Sequence, residues 1–153
     1  MGAVYFYHLT DSPLEAALPA LLTKARQAGW RIAVRGSDRE RLDWLDKKLW
    51  LLGDESFLPH GLAGGPHDAM QPILLAEGND AANAATCVMA VFDAAVEAAE
   101  VKALERVCIL FDGNSSQSVE AARGQWKALT EAGCTAQYWA QDAGKWVKRA
   151  ESG

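Results

Sequence analysis

The chain has 153 residues, half of them hydrophobic, and a formal net charge of −5, a size that suits one domain around one core. Its longest apolar runs, such as Ala85 to Phe92, stop far short of the roughly 20 residues that span a bilayer. The acidic balance argues against broad contact with a phosphate backbone, so any basic site must be local.

The N-terminus, Met1-Gly2-Ala3-Val4-Tyr5-Phe6, lacks the charged start, apolar stretch and small-residue cleavage site of a secretory signal, which predicts a soluble, cytoplasmic protein. Cys87, Cys108 and Cys134 are odd in number, far apart and set among apolar neighbours, the pattern of buried thiols rather than of disulfides or a metal cluster.

In chain order, Tyr5 to Leu9 reads as a strand, and Ser12-Pro13-Leu14-Glu15 opens a helix with a capping box and proline at its first position. Leu14, Ala17, Leu18, Leu21, Leu22 and Ala25 keep helical spacing, and Gly29 stands where a left-handed cap belongs. Arg31 to Arg35 is a second strand. Ser37-Asp38-Arg39-Glu40 is a second capping box, opening a helix that ends near Gly53. Ser56 to Gln71, rich in Gly, Pro and His without periodicity, reads as a long loop before the strand Ile73 to Ala76. Cys87 to Phe92 and Val107 to Phe111 are unbroken apolar runs, expected of strands covered on both faces, with a short helix from Val96 to Leu104 between them. A last helix from about Ser118 to Ala132 stops at Gly133, and Ala136 to Trp139 forms a final strand. Alternating strands and helices imply an α/β, Rossmann-like three-layer fold over residues 1–153, with a mostly parallel sheet, helices on both faces and a flexible tail over the last few residues.

The chemistry of that fold is missing. Between the first strand and helix stands His8-Leu9-Thr10-Asp11-Ser12-Pro13 rather than a G-x-G-x-x-G turn, and no phosphate-binding G-x-x-x-x-G-K-[ST] loop is present. Gly61 to Gly65 follows a helix, which favours a flexible loop over a phosphate cradle. Ligands of open α/β sheets settle at the carboxyl ends of strands, so His8, Asp11, Asp93 and Asp112 are the enzyme candidates for a small-molecule or nucleotide-binding alternative. The simpler reading gives the aspartates turn and capping roles and His8 a structural one. His60, His67 and Asp68 lack metal-ligand spacing. No cofactor, metal or catalytic set is expected.

Tryptophan placement is more informative. On the second helix Leu42, Leu45, Leu49 and Leu52 define the buried stripe; Trp50 lies well off its centre, and Trp44 and Leu51 point nearly away from it. That second apolar face suits a contact site, unless Trp50 packs under the long loop with Phe57. On the last helix Ala121, Ala122, Leu129 and Ala132 suit packing on the sheet, while Arg123, Trp126, Lys127 and Thr130 share another flank. A guanidinium fork beside a flat ring suits a short acidic peptide with a hydrophobic end. The alternative places Trp126 in the core with Val119, Ala122 and Leu129 and leaves Arg123 and Lys127 solvated.

Phe6-Tyr7-His8-Leu9, Leu45-Asp46-Lys47-Lys48-Leu49-Trp50, Asp54-Glu55-Ser56-Phe57-Leu58-Pro59-His60, Leu110-Phe111-Asp112-Gly113, Ala122 to Lys127 and Tyr138-Trp139 together resemble, in order, the chi subunit of bacterial DNA polymerase III. The specific part is L-D-x-x-L-W followed by S-F-L-P-H. This resemblance implies a Rossmann-like fold without a nucleotide site or catalysis, acting as an accessory subunit that links the clamp loader to single-stranded DNA-binding protein. DNA itself is then reached only indirectly. The family's motif places the acidic, Pro-Phe-ending tail of that protein at Arg123, Trp126 and Lys127, with Val119 where the best-studied branch has lysine, which leaves fewer charges for the tail. Trp50, Phe57, Pro59 and His60 fall in the motif whose counterparts contact the psi subunit or a helicase-like partner. The stretch Lys145 to Arg149 could add charge for the tail.

Overall fold

The computed structural model describes residues 2–50, 60–64, 68–77, 83–143 and 145–152, without the side chain of Trp50. Its elements are β1 (Ala3–Leu9), α1 (Leu14–Gln27), β2 (Ile32–Gly36), α2 (Arg39–Trp50), β3 (His60–Leu62), β4 (Ile73–Glu77), β5 (Cys87–Ala90), α3 (Ala98–Ala103), β6 (Arg106–Asp112), α4 (Ser116–Glu131), β7 (Thr135–Asp142) and β8 (Lys145–Ser152), with a 3-10 turn at Asp68–Met70. The strands form one sheet in the order β3-β4-β2-β5-β6-β1-β7-β8. All neighbours run parallel except β7 and β8, which pair antiparallel with a register shift between Tyr138 and Trp139.

The three-layer α/β arrangement follows from the hydrophobic pattern. β2 and β5 are buried along their whole length and β4 up to its last residue, as parallel strands covered on both faces must be. Leu18, Leu21 and Leu22 of α1 and Leu42, Leu45 and Leu49 of α2 cover one face, over Ile32, Val34, Ile73, Leu75, Met89 and Leu110. Val101 of α3 and Ala122 and Leu129 of α4 cover the other, over Phe6, Val88, Ile109 and Phe111. Cys87, Cys108 and Cys134 are free and buried. Among the described residues no helix is long and apolar enough to cross a membrane.

Helix ends explain where the turns fall. Gly29 and Gly133 have φ of 85° and 89°, and the N–H groups of Trp30 and Cys134 reach back to Ala25 and Leu129 at 3.2 and 3.0 Å, so α1 and α4 both end in the paired-bond motif that needs a left-handed residue. The N-termini differ from expectation. At α1 the cap is Pro13, with no side-chain bond. At α2 the Asp38 carboxylate accepts from Glu40 N–H at 2.9 Å, while the Ser37 hydroxyl donates to Phe92 O at 2.6 Å. The Ser115 hydroxyl caps α4 by accepting from Ser118 N–H, and a Glu97–Glu100 capping box opens α3.

Three further corrections concern extent. The segment read as a loop contains β3, whose register comes from β4 through His60–Ile73, Gly61–Leu74 and Leu62–Leu75 pairs. The residues expected as a flexible tail are largely β8, paired along β7. β5 ends at Ala90, and Phe92 and Asp93 follow with φ of 51° and 62°.

An ion pair joins β2 to α3 inside the buried layers. Arg35 of β2, 5% exposed, meets Glu100 of α3 at 2.6 Å and donates to Ala95 O at 3.2 Å. Removing Glu100 takes a charged partner from a buried guanidinium, and breaking such a pair costs about 3 kcal/mol. Glu100→Ala is therefore expected to lower stability by about 3 kcal/mol in urea unfolding; a loss below about 1 kcal/mol would place Arg35 in contact with water instead.

Candidate functional site

The flank of α4 stands on an aromatic floor. Phe6 and His8 of β1 and Tyr138 of β7 project to the α4 side of the sheet, since Phe6 pairs with Tyr138 and His8 with Ala140 and alternate residues share a face. Trp126 packs edge-on against Phe6 at 5.3 Å and Tyr138 at 6.1 Å. The Tyr138 hydroxyl lies 2.6 Å from His8 Nδ1, and the His8 ring stacks near Phe111 at 5.0 Å. Gly113 is required by that ring: a Cβ at this position would collide with His8 Cδ2 and Nε2.

Trp126 is thus half-buried and joined to the core together with Val119, while Arg123 and Lys127 are exposed beside it. Ala122 and Leu129 face the sheet as expected; Ala121 and Ala132 are exposed. Neither Arg123 nor Lys127 forms an ion pair among the described residues. Burial raises the Tyr138 pKa, and the positive charge of Arg123 partly opposes it. Arg123 therefore sits close enough for its field to reach the tyrosine ring, and the hydroxyl keeps its proton at neutral pH. The flank offers two exposed cations, unpaired among the described residues, beside a ring held against Phe6 and Tyr138 and partly open to solvent. Tyr138 and His8 as its floor escaped the sequence reading, although the two-residue alternation of Phe6 and His8 was a usable signal.

The second motif is anchored from inside. Leu42, Leu45 and Leu49 are buried at 0, 0 and 3% exposure, and Trp44 is 42% exposed, so α2 shows apolar surface on its outer face. Phe57 and Pro59 lie outside the described residues, as does the Trp50 side chain. His60, on β3, is buried; its Nε2 lies 3.3 Å from the Asp46 carboxylate and 3.2 Å from Asp46 O. The two halves of the motif, L-D-x-x-L-W and S-F-L-P-H, are thereby fastened to each other by the Asp of one and the His of the other.

At the carboxyl ends of the strands is a cleft of about 700 Å³, lined among others by Asp11, Arg41, Trp44, Phe92, Asp93 and Asp112. Its place is the crevice between β1 and β6, whose following helices leave to opposite faces, where ligands of such sheets bind. Of the four enzyme candidates, Asp11, Asp93 and Asp112 line this cleft and His8 does not. His8 points to the α4 side, against Tyr138. Asp112 accepts from Asn114 N–H at 2.9 Å, a turn role, and Asp93 accepts from the Ser118 hydroxyl of α4 at 3.1 Å. Three consecutive backbone donors of the β1–α1 turn, Thr10, Asp11 and Ser12, all converge on Gln141 Oε1 at 2.9, 2.9 and 3.1 Å. Such a nest before a helix is where nucleotide-binding folds seat a phosphate, and here a side chain of β7 fills it. Gln141→Ala is expected to cost about 1 kcal/mol in urea unfolding, because water can replace part of what these donors lose. Excess ATP or NAD should leave the wild-type melting temperature unchanged; a rise would restore the nucleotide reading.

Comparison with known proteins identifies the family of the chain. Residues 1–137 match the family described as DNA polymerase III chi subunit, HolC. A "Probable DNA polymerase III subunit chi" of Rickettsia prowazekii (strain Madrid E) is 27% identical over 71 residues. That alignment covers 46% of this chain and 43% of the relative, so the chain spans less than half the length of the curated relative it matches. With the family match running from the first residue to within the seventh strand, the chain belongs to the DNA polymerase III chi subunit family.

Proposed function

We propose that the chain is a non-catalytic adaptor of the replication machinery, joining the clamp loader to single-stranded DNA-binding protein by holding that protein's acidic C-terminal tail on the α4 flank. The observation that carries this reading is the pair of exposed cations, Arg123 and Lys127, beside Trp126 and without an ion pair among the described residues. Arg123 supplies a fork for carboxylates. Trp126, fixed by Phe6 and Tyr138, supplies a preorganised platform for a terminal phenylalanine. Val119, half-buried one turn earlier, lines the same flank with apolar surface in place of a third charge.

The second contact is assigned to the α2 motif, with Trp50, Phe57 and Pro59 as the contacting groups and the psi subunit or a helicase-like protein as partner. His60 serves that surface from beneath, tying β3 to α2 through Asp46.

A labelled acidic peptide ending in Pro-Phe should bind with micromolar affinity at low salt and weaken as salt rises. Arg123→Ala should reduce that affinity by roughly tenfold or more, the loss of a charged hydrogen bond. Absence of binding at low salt would remove the tail from the account. In pull-downs from native extract, Trp50→Ala and Arg123→Ala should each lose a different partner; loss of the same protein by both would mean one site rather than two.

A further inference from the structure

The crevice at the carboxyl ends of the strands has lost its phosphate cradle to Gln141, yet it remains a cleft of about 700 Å³, a size that admits several side chains of a ligand. Its walls are of two kinds. Trp44 of α2 and Phe92, just after β5, bring aromatic surface, and Asp11, Glu15, Asp93 and Asp112 bring carboxylates. Trp44 is 42% exposed; Phe92 rests partly on the core and is half-buried. Phe92 and Asp93 stand in consecutive left-handed conformations, with φ of 51° and 62°, which residues with a Cβ rarely adopt. Bonds from both sides hold them there: the Ser37 hydroxyl donates to Phe92 O at 2.6 Å and the Ser118 hydroxyl to the Asp93 carboxylate at 3.1 Å. The turn thus sets a ring and a carboxylate next to each other in the cleft lining.

Charge selects the occupant. Among the described lining residues Arg41 is the one cation, against four carboxylates. Its side chain is 63% exposed, lies 3.8 Å from Asp38 and stands over the Phe92 ring at 5.6 Å, near the outer reach of such a contact. Glu15, Asp93 and Asp112 form no ion pair among the described residues. The bonds that Asp93 and Asp112 accept come from a hydroxyl and a backbone amide, neutral donors that leave the negative charge in place. The groups that would draw an anion are already satisfied, since the β1–α1 turn donates to Gln141 and the Ser115 hydroxyl caps α4.

We propose that this cleft docks a basic segment of a partner protein, with an arginine of the segment among the carboxylates and an apolar neighbour against Trp44 and Phe92. It is a third contact, independent of the two proposed above. A guanidinium is the cation that forks onto carboxylates and lies flat on a ring with the same planar group, and this cleft lines both kinds of surface. An acidic peptide or a nucleotide meets like charge here. A small amine would engage the carboxylates and leave the two rings uncovered.

The test is fluorescence anisotropy of a labelled peptide of alternating arginine and leucine with blocked ends, titrated with the full chain at low salt. A second peptide carries citrulline, the uncharged isostere, in place of arginine. Binding of the arginine peptide in the micromolar range is expected, weakening with salt, with the citrulline peptide at least roughly tenfold weaker. Trp44→Ala and Asp93→Asn should each weaken the arginine peptide at least roughly fivefold while keeping the wild-type circular dichroism spectrum; asparagine tolerates the left-handed backbone at this position. Glu120→Gln and Glu131→Gln, which remove the same charge from exposed positions on α4, should leave its affinity as it is. Should Trp44→Ala disturb the fold, Asp93→Asn and Glu15→Gln decide the matter alone. No binding at low salt, equal binding of the citrulline peptide, or equal losses in the cleft and α4 variants would overturn the proposal, the last in favour of diffuse attraction to an acidic chain. Displacement of the peptide by an equal concentration of spermidine would overturn it in favour of a small cation.

Discussion

The pleat of β1 sets the rest of the molecule. β1 lies between β6 and β7 in parallel register, and its Tyr5-Phe6-Tyr7-His8 sequence sends an aromatic ring alternately to each side of the sheet. Phe6 and His8 build the floor beneath α4 with Trp126 and Tyr138. Tyr5 and Tyr7 build the opposite row with Trp139 and Trp146. A one-residue slip of β1 would exchange the two sets and dismantle both surfaces. Register here rests on burial, since Val4 and Phe6 have no exposure and cannot be turned out to solvent without losing on the order of 2 kcal/mol each.

This arrangement leaves a Rossmann-like crevice whose phosphate-binding place is filled by the chain itself. The crevice between β1 and β6 is present, with the volume of a ligand pocket. The donors that would hold a phosphate are spent on Gln141; of the acidic residues around the crevice, Asp112 serves a turn and Asp93 holds the Ser118 hydroxyl. The same glutamine bonds also tie the β7 end of the sheet to the start of α1. The side chain that fills the nest thus fixes the edge on which Trp139 and Trp146 stand.

What could be read from the sequence is what burial dictates locally. The apolar runs of β5 and β6, the leucine stripe of α2 and the glycine stops at Gly29 and Gly133 all arise from neighbours within a turn or two, and their signals are strong. β3 was hidden because three residues carry no period of their own and take their register from β4. β8 was hidden because Lys145-Trp146-Val147-Lys148-Arg149 is too charged to signal a strand, and its partner lies across a hairpin on one edge. The Arg123 and Trp126 flank was legible by helical spacing, whereas its floor needed two strands that meet only in the sheet. His60 could be placed in a motif by resemblance, but its bond to Asp46 depends on how β3 returns to α2, which no local pattern encodes.

The central claim, that the α4 flank receives an acidic tail, is tested most directly by residue-resolved NMR of the isotopically labelled chain titrated with the acidic Pro-Phe peptide. The account predicts shifts concentrated at Val119, Arg123, Trp126 and Lys127 and at their floor, Tyr138 and His8. Shifts centred instead on Thr10, Asp11 and Asp112 at the strand ends, or none at saturating peptide, would contradict it.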